Sequence, residues 1–215
     1  MKIITVPADA EIEVKRSRFI ASVSHADTEE KAQLFIEGVR KAHRDARHNC
    51  FAMRIGTGPV IFERSSDDGE PQGTAGRPML DMLKGNGITD AVCVVTRYFG
   101  GTLLGTGGLL RAYSDALREA LSRSEILELM EGREAFGDIS YDLISKVKHV
   151  ATGSSVRIMS EEYGEVVRMS FLSDREGICT FSLKLSELSA GKIRLFDEQD
   201  VLYYGTDRPK VYKKL

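Results

Sequence analysis

The chain has 215 residues, with 30 Lys and Arg against 32 Asp and Glu, 42% apolar residues and a formal net charge of −2. A chain of this length buries roughly 70% of its extended surface on folding, enough for one large or two small cores, and its composition excludes collagen-like and disordered classes. The charge balance argues against indiscriminate polyanion binding but leaves room for a local basic patch.

No run of about 18 apolar residues occurs, so no bilayer span is expected. The opening MKIITVPADAEIEV is broken by Pro7, Asp9 and Glu11 and does not read as a signal peptide. A cytoplasmic monomer without a cofactor, off the membrane, is the expectation. Cys50, Cys93 and Cys179 are widely spaced, form no C-x-x-C pair and sit in apolar runs, which suits small buried side chains rather than a disulfide or zinc framework.

Along the chain, Lys2 to Val6 and the partly alternating run Glu11 to Ser24 read as strands in an edge or hairpin arrangement. Asp27 with Glu30 resembles a capping box, and Ala32, Phe35, Val39, Ala42 and Ala46 continue at helical spacing to about His43–Arg47. Asn49 to Ile55 and Val60 to Phe62 form a hairpin around Gly56-Thr57-Gly58-Pro59. A polar loop, Ser65 to Pro78, leads to a short helix near Met79 to Leu83. Ala91 to Thr96 is an apolar run that suits a strand buried on both faces. A second Gly-rich loop precedes a helix with the stripe Leu109, Tyr113, Ala116 and Ala120. Ten of the 20 glycines lie between Gly69 and Gly108, divided between these two loops and the segment joining them.

Beyond Glu125 the pattern becomes strand-like, and a domain boundary is placed at Glu131 to Glu134. The remainder reads as βαββαβ, the ferredoxin-like order. The predicted organisation is a first domain at 1–132, a second at 133–206 and a frayed basic tail at 207–215.

Three segments could carry chemistry. In Asp67 to Pro78, Gly73 and Gly76 allow close backbone approach ahead of a helix start, and Arg77 adds a charge-assisted donor, together an anion cradle. Equally, Asp68 and Glu70 could bind the loop's own amides and Arg77; they also offer two oxygen ligands to a metal, with no His to complete a site. In Arg97 to Tyr113, Arg97 ends a buried strand, Gly101, Thr106, Gly107 and Gly108 lead into a helix, and Arg111 lies one turn on. This suits a phosphate or carboxylate, yet it is neither a Walker A loop nor G-x-G-x-x-G. Alternatively Arg111 pairs with Asp115 on a solvated face. Third, Arg40, Arg44 and Arg47, spaced i, i+4, i+7, with Lys41 and His48 adjacent and Arg18 in a Lys15–Arg18 cluster, could follow nucleic-acid phosphates or form a solvated helix face. No catalytic constellation emerges: His48 and Cys50 share one strand face, but a structural thiol is the simpler reading.

Lys15 to Ile20, Ala46 to Cys50, Asp68 to Pro78, and Val94 to Gly101 through Tyr113 together resemble the bacterial YigZ branch of the IMPACT family over residues 15 to 121. The C-terminal part is similar to that branch's accessory domain. The resemblance implies an α+β, two-domain protein, its first part like the split β-α-β domain of ribosomal proteins, its second like a ferredoxin-like domain of elongation factor G. Eukaryotic relatives regulate translation with a different accessory domain, so the implied role is a non-enzymatic, translation-associated regulator that binds RNA or the ribosome. An enzyme or sensor of a small phosphorylated or carboxylated ligand, and a protein-interaction module, remain the alternatives.

Overall fold

The computed structural model describes residues 1–205 and 209–214. It divides into two compact α+β units, Met1–Glu128 and Leu129–Leu215. The first contains β1 (Lys2–Val6), β2 (Ala8–Val14), β3 (Ser17–His25), α1 (Glu29–Ala42), β4 (His48–Ile55), β5 (Phe62–Ser66), α2 (Gly76–Gly85), β6 (Ala91–Tyr98), α3 (Gly105–Arg123) and β7 (Glu125–Glu128). β2, β3, β6, β4 and β5 form an antiparallel sheet in that order, and β1 pairs separately with β7. Because β3 and β4 both run antiparallel to β6 between them, β3-α1-β4 is a β-α-β unit split by an inserted strand.

The side-chain period of two on β6 builds both layers of this unit. Ala91, Cys93 and Val95 pack with α2 and α3, while Val92 and Val94 pack with Ala32 and Ile36 of α1. Register then decides where the functional segments lie. Val14 pairs with Ser17, Arg18 with Tyr98 and His48 with Arg97. The β2–β3 turn, the α1–β4 turn, the β6–α3 loop and the loop after β5 therefore gather at one end of the sheet.

Several boundaries differ from the sequence expectation. The N-cap of α1 is Thr28, whose hydroxyl accepts from the Lys31 amide at 3.2 Å, while Asp27 pairs with the Lys31 ammonium. The helix ends at Ala42 because the chain must reverse to enter β4, and His43, its C-cap, lies 3.0 Å through Nδ1 from the Tyr98 hydroxyl. Arg44 and Arg47 thus belong to a turn and not to a helix face. α2 starts at Gly76, and α3 starts at Gly105, so Gly105, Gly107 and Gly108 open the helix instead of preceding it.

The second unit runs β8 (Met130–Ile139), α4 (Ile144–Thr152), β9 (Arg157–Tyr163), β10 (Val167–Ser173), α5 (Arg175–Leu188), β11 (Phe196–Tyr204) and β12 (Lys210–Lys214). Its sheet order, β12-β11-β8-β10-β9, is the ferredoxin-like arrangement with one strand added at an edge. Val147, Phe171, Phe181 and Leu185 centre its core. Of the tail expected to fray, Lys210–Lys214 pairs with β11, whereas 207, 208 and 215 lie outside the described residues. Among the described residues no helix is long and apolar enough to cross a membrane.

One close approach locks the loop end of the first sheet. A Cβ on Gly100 would lie 2.0 Å from the carbonyl carbon of Arg16, and the Gly100 amide donates to the Ser17 hydroxyl at 3.1 Å. Gly100→Ala should therefore cost about 1–3 kcal/mol by forcing the two backbones apart. Urea unfolding of the variant checks this, and a cost below a few tenths of a kcal/mol would contradict the close approach.

Candidate nucleic-acid interface

At the loop end of the first sheet, the acidic residues of the loop after β5 point inward, whereas Glu13 and Asp45 in the neighbouring segments are exposed. Asp67 sits ahead of α2 and accepts from the amides of Gly73 at 2.8 Å, Ala75 at 2.9 Å and Gly76 at 2.8 Å. Burial raises its carboxyl, but the three amides together outweigh that and hold it below the ordinary 3.8. This carboxylate occupies the place at the helix start where an external anion was expected. Gly73 and Gly76 therefore serve a resident acid, and Arg77 turns away to pair with Asp81 at 2.9 Å.

Asp68 accepts from Arg40 Nη2 at 3.0 Å and from the Asn49 amide at 2.7 Å, and its carbonyl lies 2.9 Å from His48 Nδ1. Glu70, almost fully buried, takes Arg97 Nη1 at 2.7 Å and the Tyr113 hydroxyl at 2.8 Å on one oxygen. The two acids considered as metal ligands are thus spent on Arg40, the Asn49 amide, Arg97 and Tyr113, and among the described residues no group of three metal-ligating side chains assembles. Arg97 is only 6% exposed, with its guanidinium over the rings of Phe19 and Phe99. It cannot serve as a surface anion receptor, because it is the counter-ion of Glu70.

Cys50, buried beneath the same loop, donates to the Asp67 carbonyl at 2.9 Å, and burial pushes its thiol up to about 12. It stays protonated at neutral pH, which fits a structural role.

The cations point the other way. Arg18 binds Glu11 at 2.7 and 3.0 Å and lies over the Tyr98 ring, whose other neighbour is His43. Lys15, Arg16, Lys41, Arg44, Arg47 and Arg111 are exposed, and none has a hydrogen-bond or ion-pair partner among the described residues. Arg111 is free because Asp115 pairs with Arg118 instead. Next to Arg111, the first turn of α3 with Thr106, Gly107 and Gly108 carries no acidic residue and no side-chain cap, and Gly101 precedes it at φ +84°. The structure thus brings the segments singled out in the sequence to one end of one sheet. An inner set, Asp67, Asp68 and Glu70, has its charges paired or hydrogen-bonded. In the outer set Arg18 is bound to Glu11 and the six other cations are unpaired among the described residues, with exposed Asp45 between Arg44 and Arg47.

Sequence reasoning missed the roles of Asp67, Tyr113 and Asn49, and the hairpin turn at Lys15-Arg16, part of a cluster that it places among the phosphate candidates. Only Asp67 left a signal, as a carboxylate a few residues ahead of a helix start.

These features define a two-domain α+β protein with a split β-α-β unit, a ferredoxin-like companion and a basic loop end. The family model described as Impact N-terminal domain matches residues 15–121, and a domain of unknown function, DUF1949, matches 138–192. The chain is 38% identical to IMPACT family member YvyE of Bacillus subtilis over 85% of its length and 83% of that protein. It is 36% identical to IMPACT family member YigZ of Escherichia coli over 85% of its length and 90% of that protein. A crystal structure described only as a hypothetical protein matches with 35% identity and a TM-score of 0.59, covering 91% of this chain and 95% of that one. The chain belongs to the IMPACT family.

Two measurements probe the inner set. Replacing Glu70 with Leu leaves Arg97 buried and uncompensated and should cost about 3–5 kcal/mol, much of it recovered when Arg97→Leu is added; equal stability of the single and double variants would contradict the pairing. The second concerns pH. A carboxyl held low in the folded state stabilises fully above its unfolded value and loses that contribution as pH falls through its folded one. The stability advantage of the native chain over Asp67→Asn should thus narrow below pH 3.8, as read by thermal melts across the acid range.

Proposed function

We propose that the chain is a non-enzymatic, translation-associated regulator that binds RNA, free or within the ribosome, through the loop end of its first sheet. The observation that carries this reading is the set of six exposed, unpaired cations, Lys15, Arg16, Lys41, Arg44, Arg47 and Arg111, beside the uncapped start of α3. Fixed cations lower the free energy of a phosphate backbone chiefly by releasing its condensed counterions, which needs surface charges free of internal partners. The overall charge of −2 hides this set because many acids elsewhere balance it. Membership of the IMPACT family supports the translational setting, which belongs to the cytoplasm.

The small-anion reading has less support: Asp67 fills the first loop, and Arg77 and Arg97 are paired. A protein-interaction reading would rest on Leu103, 83% exposed, and Leu110, 43% exposed.

The test is RNA binding by fluorescence anisotropy from 50 to 200 mM salt. Affinity should fall steeply with salt, and Arg44→Glu with Arg47→Glu should shallow the log–log slope by about 0.7 for each single-strand phosphate that is no longer neutralised. Binding that is absent at low salt, or unmoved by salt and by these changes, would refute the proposal.

A further inference from the structure

The turn joining β2 and β3 is built from the wrong residues for its geometry. It is a two-residue hairpin loop, Lys15-Arg16, closed by the Val14–Ser17 pair, with φ of 47° and 68°. Positive φ at both central positions is the signature of a type I′ turn, which Asn-Gly occupies with least strain and in which longer side chains crowd their own backbone. Neither side chain repays that strain within the protein, since both are exposed and neither has a polar partner.

The backbone of the turn is nevertheless held firmly. Gly100 sits where a Cβ would be 2.0 Å from the Arg16 carbonyl carbon, and its amide binds the fully buried Ser17 hydroxyl. The residue before Gly100 is Phe99, 53% exposed, with the guanidinium of buried Arg97 5.6 Å from its ring centroid. A rigid turn that points two unpaired cations outward thus abuts a loop that presents an aromatic ring fixed by Arg97. Cations spaced along a backbone track beside an exposed ring constitute the elements that bind a single strand, phosphates to the cations and a base on the ring.

Building on the RNA-binding reading, we infer that Lys15, Arg16 and Phe99 form a subsite for single-stranded RNA, and that the strained turn is kept for this interaction. The strain lets a substitution remove the RNA contact without harming the fold. Replacing Lys15-Arg16 by Asn-Gly keeps the turn and relieves it.

The experiment uses the full chain, a 12-nucleotide single-stranded RNA of mixed sequence and the blunt duplex made with its complement. Lys15→Asn with Arg16→Gly should raise Tm by roughly 2–8 °C while shallowing the salt slope for the single strand by about 1.4, the share of two phosphates. Phe99→Leu should weaken single-strand binding about tenfold or more and leave duplex binding little changed. If the native chain binds the single strand and the Asn-Gly variant binds it equally well with the same slope, the subsite is wrong while the RNA-binding reading stands. Duplex binding as tight as single-strand binding, or a lower Tm for Asn-Gly, would likewise overturn the inference. If the native chain binds neither RNA at low salt, the RNA-binding reading itself fails.

Discussion

The ion pair between Arg97 and Glu70 is the interaction on which the loop end of the first unit depends. Arg97 terminates the central strand, Glu70 comes from the loop after β5, and Tyr113 from α3 completes the pair through its hydroxyl. Three segments distant in sequence are thereby fixed at one point where water is nearly excluded. A charge so placed is tolerable only with its partner, since the desolvation of either ion alone exceeds what packing returns. Once Glu70 is fixed, the polypeptide on either side of it has little freedom. Asp67 caps α2, Asp68 anchors the start of β4, and the acids of the loop are consumed by the fold.

That consumption gives the surface its character. In residues 66 to 115 acids outnumber bases in the sequence, a count that predicts no electropositive site. The side chains do not face the same way. Asp67, Asp68 and Glu70 are directed at amides, Arg40 and Arg97, while Arg111 and the cations of the two neighbouring turns are left to solvent. Net charge is thus a poor guide when one sign is used structurally and the other is displayed. The field that a ligand meets is set by unpaired groups.

Much of the fold was legible because hydrophobic periodicity is a local property that tertiary structure seldom overrides in long elements. The unbroken run Ala91 to Thr96 reads directly as a strand covered on both faces, and Leu109, Tyr113, Ala116 and Ala120 as one buried helix face. The resemblance to the IMPACT family rested on equally local motifs. What stayed hidden depended on long-range pairing. Nothing near Arg97 announces that Glu70 will meet it, so a strand-end arginine beside glycines looks like an anion receptor. The turn at Lys15-Arg16 carries no Gly, Asn or Asp, the residues by which hairpin loops are recognised, and Glu11 to Ser24 therefore read as one strand. The stripe Arg40, Arg44, Arg47 looked helical because helix periodicity continues past the point where His43 turns the chain toward β4.

The second unit provides a contrast for the proposed interface. Its βαββαβ sheet has the topology of a common RNA-binding module, whose helix-free face stacks bases on aromatic rings. Here that face does carry rings, with Phe136 stacked on Phe196 at 6.5 Å and Arg168 over Phe196. Arg168, however, is held by Asp138 at 2.8 and 3.1 Å, and Glu162 pairs across the sheet from it. The cation that would meet a phosphate is already neutralised, and the adjoining carboxylates would repel one. At the loop end of the first unit the cations against rings are paired too, Arg18 with Glu11 and Arg97 with Glu70. Lys15, Arg16, Lys41, Arg44, Arg47 and Arg111, however, have no carboxylate of their own among the described residues. Topology alone would favour the second unit for RNA, and the unpaired cations of the first are what support the proposed reading.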